Sequence, residues 1–499
     1  MHLPQRTDGP PGPAGQDLTR TLTGALGARP TIRKPSPLFP SSLSHFQESS
    51  VAIAASPAAP DQEHRQIVKV ALASLIGTSI EWYDYFLYGT AAALVFNKIF
   101  FPSYDPIVGT LLAFATFSLG FLARPLGGIV FGHYGDKIGR KKMLYLTLMI
   151  MGLATACIGL LPTYSVIGIW APVLLITMRL LQGFGLGGEW GGAVLMAVEH
   201  APANRRGFYG SWPQLGAFIG LLLSTLVFRA ANSMWFLRAE TKEAANAAFI
   251  TWGWRVPFLL SFLLVVVGIW IRMTIAESPV FEKLKDQKQE AKMPLIEAIT
   301  KHPKNIFIAM GVRFAENGLF YVFTAFSLVY ISTYLKVDRA VGLNGLLWAA
   351  FVAIFTCAGW GALSDKLGRR PVYMWGALFC GIMAFPFFWM LGTREPWIIS
   401  MAIVIPVALG HAAMYGPQAS FLSEMFSARV RYSGASLGYQ LASIFAGGLS
   451  PLVATYLLKK GVEAGRAYTY IAYYMMLLVA ITAVSVYFAK ETHKDGIDA

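Results

Sequence analysis

The chain has 499 residues, 55% of them hydrophobic and 14% charged, and a mean hydropathy of +0.51, which excludes a soluble globular domain. The formal charge of +14 would suit nucleic acid, but the cations gather in short segments between apolar runs, so a lipid bilayer is the expected partner and no nucleic acid is. No Gly-x4-Gly-Lys-Ser/Thr stretch, HExxH pair or cysteine cluster occurs, so a transport ATPase or metalloenzyme is excluded, and neither a metal nor an organic cofactor is expected. Cys157, Cys357 and Cys380 fall within apolar runs and read as core thiols.

Apolar windows of about 20 residues, the length that crosses a bilayer as a helix, number twelve, six on each side of a charged central segment. They do not alternate in polarity, so the fold expected is an all-α integral membrane protein with twelve transmembrane helices in two pseudo-symmetric six-helix bundles. The divisions are a tail over 1–63, a first bundle over 64–274, a cytoplasmic linker over 275–304, a second bundle over 305–490 and a short tail over 491–499.

The first 63 residues hold ten of the 27 prolines and lack an apolar period, as a disordered segment does. No methionine follows Met1 until Met143, so a start inside the tail, for instance near Val51, fits as well. The tail has neither the compact apolar core nor the cleavage site of a secretory signal.

The first span, roughly 67–96, carries Glu81, Asp84, Tyr85 and Tyr88 on one helical face. An ionised carboxylate at the bilayer centre costs about 3 kcal/mol, so this face looks into the protein. A structural ion pair between helices and a functional acid both fit. The second span, about 107–131, holds Arg124, and the fourth, about 169–198, holds Arg179 and Glu189 amid glycines that let a neighbour approach closely. Depth alone pairs Glu189 with Arg124 and Asp84 with Arg179.

Between the second and third spans lies Gly132-His-Tyr-Gly-Asp136-Lys-Ile-Gly139-Arg140-Lys-Lys142, and it returns as Gly361-Ala-Leu-Ser-Asp365-Lys-Leu-Gly368-Arg369-Arg-Pro371. Asp365 minus Asp136 gives an offset of 229, which implies two halves; each copy reads as a tight loop on the cationic face. Cations also mark Arg205, Arg206, the central segment, Arg429 and Arg431, so both termini are expected inside.

Gln214 in the fifth span and Gln440 in the eleventh fit either contacts to a bound molecule or interhelical hydrogen bonding. The seventh span places Arg313, Glu316, Asn317 and Tyr321 on one face, where the ion pair can satisfy itself or line a cavity. His411, near the middle of the tenth span, suits a proton shuttle or a hydrogen-bonded lining residue.

The repeated Gly-x3-Asp-Lys-x-Gly-Arg order resembles the major facilitator superfamily, and Arg179-Leu-Leu-Gln182-Gly its fourth-helix motif. Glu81-Trp-Tyr-Asp84, Ala123-Arg-Pro-Leu-Gly-Gly128, Gly188-Glu-Trp-Gly-Gly192, Gly253-Trp-Arg-Val-Pro-Phe258 and Glu277-Ser-Pro279 are similar to the metabolite:proton symporter family, over about residues 65–490. The resemblance implies a cavity between two rocking bundles in a bacterial-type inner membrane. It also implies inward uptake of a small carboxylate or zwitterion driven by a proton, shikimate, 2-oxoglutarate, citrate, proline and betaine being among the family's substrates.

Related sugar symporters pair a first-helix Asp with a fourth-helix Arg as the proton switch. Asp84 and Arg179 fall where that pair would, with Glu81, Glu189 and Arg124 beside them. The substrate side would be lined by Tyr85, Tyr88, Gln182, Gln214, Arg313, Glu316, Asn317, Tyr321, His411 and Gln440. Gly132, Asp136, Gly139 and Arg140, with Gly361, Asp365, Gly368 and Arg369, would form the cytoplasmic gate. A monomer is expected. The rivals are an uncoupled facilitator, and a proton-driven exporter, although similar antiporters carry Gly-Pro where this chain has Trp212-Pro213.

Overall fold

Every regular element is a helix in the computed structural model, which describes residues 60–102, 106–138, 140–188, 190–238, 241–273, 294–426 and 430–494. Eight helices among these are long and apolar enough to cross a bilayer, and two bent pairs bring the number to ten. The first helix, 60–99, which carries Glu81 and Asp84, and the third, Arg140–Leu160, complete the set. In lipid a backbone N–H or C=O finds no partner outside its own segment, so each apolar run closes its hydrogen bonds as a helix.

The second helix is Pro106–Ile138, the fourth joins Trp170–Gly187 to Trp190–Glu199, and the fifth is Arg206–Arg238. The sixth bends by 41° between Glu243–Gly253 and Arg255–Trp270. In the second half the seventh is Pro303–Tyr334, the eighth Arg339–Leu367, the tenth Pro396–Glu424, the eleventh 431–463 and the twelfth Thr469–Phe488. The ninth bends by 45° between Arg369–Ile382 and Ala384–Gly392.

The first helix packs along the fifth, the second along the fourth, and the third against the fourth and sixth; the seventh packs along the twelfth, and the eighth and ninth along the tenth. The halves meet where the fifth helix crosses the eighth and tenth and where the second crosses the eleventh. A Cβ at Gly183 would overlap the Gly120 carbonyl and one at Gly187 that of Arg124, so the second and fourth helices touch backbone to backbone. Phe262, Trp270, Phe355, Ile382 and Tyr487 stay exposed on the outside, as a lipid-facing rim requires.

Among several π-helical turns, one interrupts the first helix at Ala92–Phe96 and another the seventh at Val322–Phe326. Since 322 minus 92 is 230, the internal offset of the sequence recurs in backbone geometry.

Five expectations change or fall outside the described residues. The motif of the second half is not a loop: Gly361–Leu367 are the last turns of the eighth helix, Arg369 opens the ninth, and Gly368 alone turns the chain at φ +103°, a conformation that favours glycine. In the first half the second helix likewise runs to Ile138 and the third starts at Arg140, while Gly139 and the side chains of 132–145, Asp136 and Arg140 among them, lie outside the described residues. The linker 275–304 ends in a short helix, Pro294–Lys301, which buries Ala298; most of the tail and residues 274–293 are not described. Cys357 and Cys380 are buried, but Cys157 is exposed, because the third helix has an outer face.

Candidate functional site

The first helix divides its polar residues between two neighbours. Asp84, 1% exposed, faces the sixth helix, where Ser261 donates to its Oδ1 at 2.5 Å. One residue earlier, the Tyr83 hydroxyl donates to the Pro257 carbonyl of the same helix at 2.8 Å. Tyr85 and Tyr88 turn instead toward Arg179, whose guanidinium carbon lies 4.2 and 4.4 Å from their ring centres.

The pairing expected from depth, Asp84 with Arg179, is not formed. Arg179 donates to the Phe117 carbonyl at 3.3 Å and to Gln182 Oε1 at 3.1 Å, and Gln182 donates in turn to Thr155 at 2.6 Å. Equal depth does not make two side chains face each other, and here the acid points at the sixth helix. Asp84 Oδ2 and Arg179 Nη2 are buried with no hydrogen-bond partner among the described residues.

Arg124 also lies against the same tyrosine, 4.4 Å from the Tyr85 ring centre and 4.3 Å from that of Phe121. Its Nε and Nη2 have no hydrogen-bond partner among the described residues. Its expected partner, Glu189, lies outside them. The Tyr85 ring therefore contacts two buried guanidinium groups, a cation–π arrangement worth about 2 kcal/mol or more when desolvated.

The second half carries its own ion cluster. Arg313 Nε lies 3.2 Å from Glu316 Oε2, and Glu316 Oε1 lies 3.2 Å from His411 Nε2. Gln418 donates to Glu316 Oε2 at 2.8 Å and also meets the Tyr373 hydroxyl at 2.9 Å. Arg313 donates to the Tyr439 carbonyl at 2.8 Å and to Ser443 at 2.9 Å, and Asn317 donates to Ser443 at 3.3 Å.

Aromatic side chains join the halves. Trp190 stacks on Tyr439 at 3.7 Å and 17°, and Tyr321 packs edge-on against Tyr85, Phe117 and Phe121. Gln214 spans the same boundary, accepting from Trp190 and donating to Gln418 at 3.4 Å each.

Beside this seam lies a small cavity of about 20 Å³, walled by Trp82, Trp190 and Tyr439 and edged by Glu81, Arg124, Gln214 and Gln440. In this state it has room for about one water molecule, so a cargo would need the walls to part. The cavity wall thus gathers four of the sequence candidates; Tyr85, Tyr88, Gln182, Arg313, Glu316, Asn317, Tyr321 and His411 are not among its lining side chains. Gln440 donates to the Gly187 carbonyl at 3.1 Å, while its buried Oε1 has no partner among the described residues.

On the face that carries the duplicated motif, Asp365 accepts the backbone N–H groups of Gly207 and Phe208 at 2.7 and 2.9 Å, in the opening turn of the fifth helix. Arg369 holds Asp365 at 2.7 Å and Glu424 at 3.1 Å. This clamp bridges the halves, with a carboxylate at the positive end of a helix dipole.

Reasoning from sequence missed Ser261, Thr155, Trp82, Trp190, Tyr439 and Tyr373. Trp82 and Trp190 sit within quoted motifs and Tyr439 beside Gln440, so adjacency was an available signal. Ser261 and Thr155 gave none.

A family model described as sugar (and other) transporter matches residues 69–312 and 294–498. The chain belongs to this family. A shikimate transporter of Escherichia coli strain K12 is 42% identical to this family member over 431 residues, covering 85% of this chain and 95% of the relative. A proline/betaine transporter of the same strain is 33% identical over 433 residues, covering 85% and 83%. The solved structure of the proton:xylose symporter XylE bound to 6-bromo-6-deoxy-D-glucose matches with a TM-score of 0.65 at 16% identity, over 86% of this chain and 97% of that one. This sugar (and other) transporter thus has the twelve-helix major facilitator fold of two pseudo-symmetric bundles; it is a multi-pass membrane transporter and not an enzyme.

Proposed function

We propose that this transporter is a proton-coupled importer of a small organic acid or zwitterion, a shikimate- or 2-oxoglutarate-like carboxylate being favoured, that works by alternating access. We further propose a monomer in a bacterial-type inner membrane, with both termini and the duplicated motif on the cytoplasmic side. One observation carries the reading. Arg124 and Arg179 both contact the Tyr85 ring in a buried, aromatic-walled region, and each keeps guanidinium nitrogens with no partner among the described residues, while the acid Asp84 is held apart by Ser261.

The physical logic is charge balance in a dry site. A cargo carboxylate adds a negative charge where charge is expensive, and a proton on Asp84 removes one. Oδ2 is the oxygen available to carry that proton, since Ser261 already donates to Oδ1. Arg124, at the cavity edge, supplies a planar fork of donors suited to a carboxylate. Gln214 and Gln440 offer amides for hydroxyl or ammonium groups, and the stacked Trp190 and Tyr439 give an apolar wall for a ring. The names of the shikimate and proline/betaine relatives and of the xylose symporter support cargo class and coupling.

The test is uptake into proteoliposomes over a panel of carboxylates and zwitterions under an imposed proton gradient. Accumulation of a carboxylate that collapses on adding a protonophore is the expected result. Accumulation indifferent to the protonophore would reject the coupling.

A further inference from the structure

His411 is 2% exposed and lies where the tenth helix faces the seventh. Its Nε2 is 3.2 Å from a Glu316 carboxylate oxygen, which can only accept, so in the neutral ring the hydrogen sits on Nε2. The other nitrogen, Nδ1, then carries a lone pair, and it is buried without a hydrogen-bond partner among the described residues. A bare acceptor of this kind is costly unless a proton or a donor visits it.

We propose that His411 and Glu316 form a second proton-binding site, in the second half of the transporter, distinct from the acid of the first helix. The incoming proton binds the Nδ1 lone pair, no covalent bond breaks, and the imidazolium keeps its Nε2–H on Glu316, so the Arg313–Glu316–His411 cluster goes from neutral to a net charge of +1.

The surroundings suit that role. On the seventh helix Arg313 pairs with Glu316 through Oε2, leaving Oε1 to His411. The other titratable groups around the pair are Tyr415 on its own helix, Tyr373 on the ninth, Tyr439 on the eleventh and Cys357 on the eighth. The fifth helix presents the uncharged Phe218, whose ring centre is 5.7 Å from that of His411.

The site also touches what moves. Phe320 packs on His411 at 4.4 Å and on Phe86 of the first helix at 5.6 Å, so a change of charge at His411 is felt at the boundary between the halves. Gln418 links Glu316 to Gln214 at the cavity edge.

The inference rests on the proton-coupled reading for its role in transport, but not for its chemistry, so the test has two arms. In the first, nitrogen-15 histidine NMR of the full-length protein in nanodiscs is followed from pH 8 to 5, with His411→Gln identifying the resonance. Conversion of His411 from the Nε2–H tautomer to the imidazolium supports the site. A ring that stays neutral throughout, or that holds its hydrogen on Nδ1, overturns it.

In the second arm the proton-to-substrate ratio is read from reversal potentials in proteoliposomes, with shikimate as probe. His411→Gln and Glu316→Gln are each expected to lower the ratio by one proton, and a ratio unchanged in both overturns the role in transport. Absence of any proton-coupled shikimate flux in the unsubstituted protein counts against the proposed coupling or cargo, and the NMR arm then decides the site alone.

Discussion

Asp365 Oδ1 lies 2.7 Å from the backbone nitrogen of Gly207, so a carboxylate of the second half caps a helix of the first. The same oxygen is 2.7 Å from Arg369 Nη1, and that arginine reaches on to Glu424. The two halves are thereby fastened on one face by charge-assisted hydrogen bonds.

Replacing Asp365 by Asn removes the charge and one acceptor while keeping the shape. Hydrogen bonds to charged groups are worth about 1.5–3 kcal/mol, so the population open on the motif face should rise by roughly 10- to 100-fold. A cysteine at Ala193 on the cavity wall, in a background with the exposed Cys157 replaced by Ser, reports this as faster alkylation from that face. An unchanged rate would mean the clamp does not hold the closed state.

Arg179→Lys keeps the charge but loses the flat face that lies over Tyr85 and Tyr88 and the fork that reaches Phe117 and Gln182. The loss of cation–π contact, about 1–2 kcal/mol, should lower uptake about tenfold, measured as initial rates at equal amounts of folded protein. Rates within twofold of the unsubstituted transporter would count against Arg179 as part of the site.

Asp84→Asn should abolish proton-driven accumulation and leave exchange of labelled for unlabelled cargo intact, since exchange needs no net proton movement. Ser261→Ala, which removes the donor to Oδ1, should weaken accumulation less, by several-fold. Accumulation by Asp84→Asn at the unsubstituted level would remove Asp84 from the coupling scheme.

Glu491, beyond the last span, supplies a pH dependence. Burial pushes its carboxyl up, but the backbone N–H groups of Arg369, Arg370 and His493 pull it down further, to a net value below its ordinary one of 4.5. A depressed carboxyl stabilises the folded arrangement above its ordinary range and loses that contribution as pH falls through the lowered value. The amides of Arg369 and Arg370, each 2.9 Å from Glu491, should stay protected from hydrogen exchange at neutral pH and lose protection, after correction for intrinsic rates, only as pH falls below the ordinary glutamate range. Glu491→Gln should lose it at neutral pH.

The helices and the duplication were legible because hydropathy and charge are properties of single segments. Which neighbour a side chain faces is not. Position along the helices paired Asp84 with Arg179, yet the first helix turns Asp84 to Ser261, and Arg179 lies against Tyr85 and Tyr88. Arg313 and Glu316 were readable as a pair because three residues along one helix fix both height and direction. Tyr439 was not, since its stacking on Trp190 depends on how two separate halves dock. The motif of the second half read as a loop from its glycines and charges, but one glycine at φ +103° makes the whole turn.

The backbone contact at Gly120 and Gly183 has a mechanical consequence. Two helices that meet without intervening side chains have no lubricating layer, so the second and fourth travel as a single plank. On the proposed alternating-access reading, relative motion falls at the crossings of the fifth helix with the eighth and tenth, and of the second with the eleventh. A distance label pair spanning the plank would be a stationary ruler against which every other separation in the working carrier is measured.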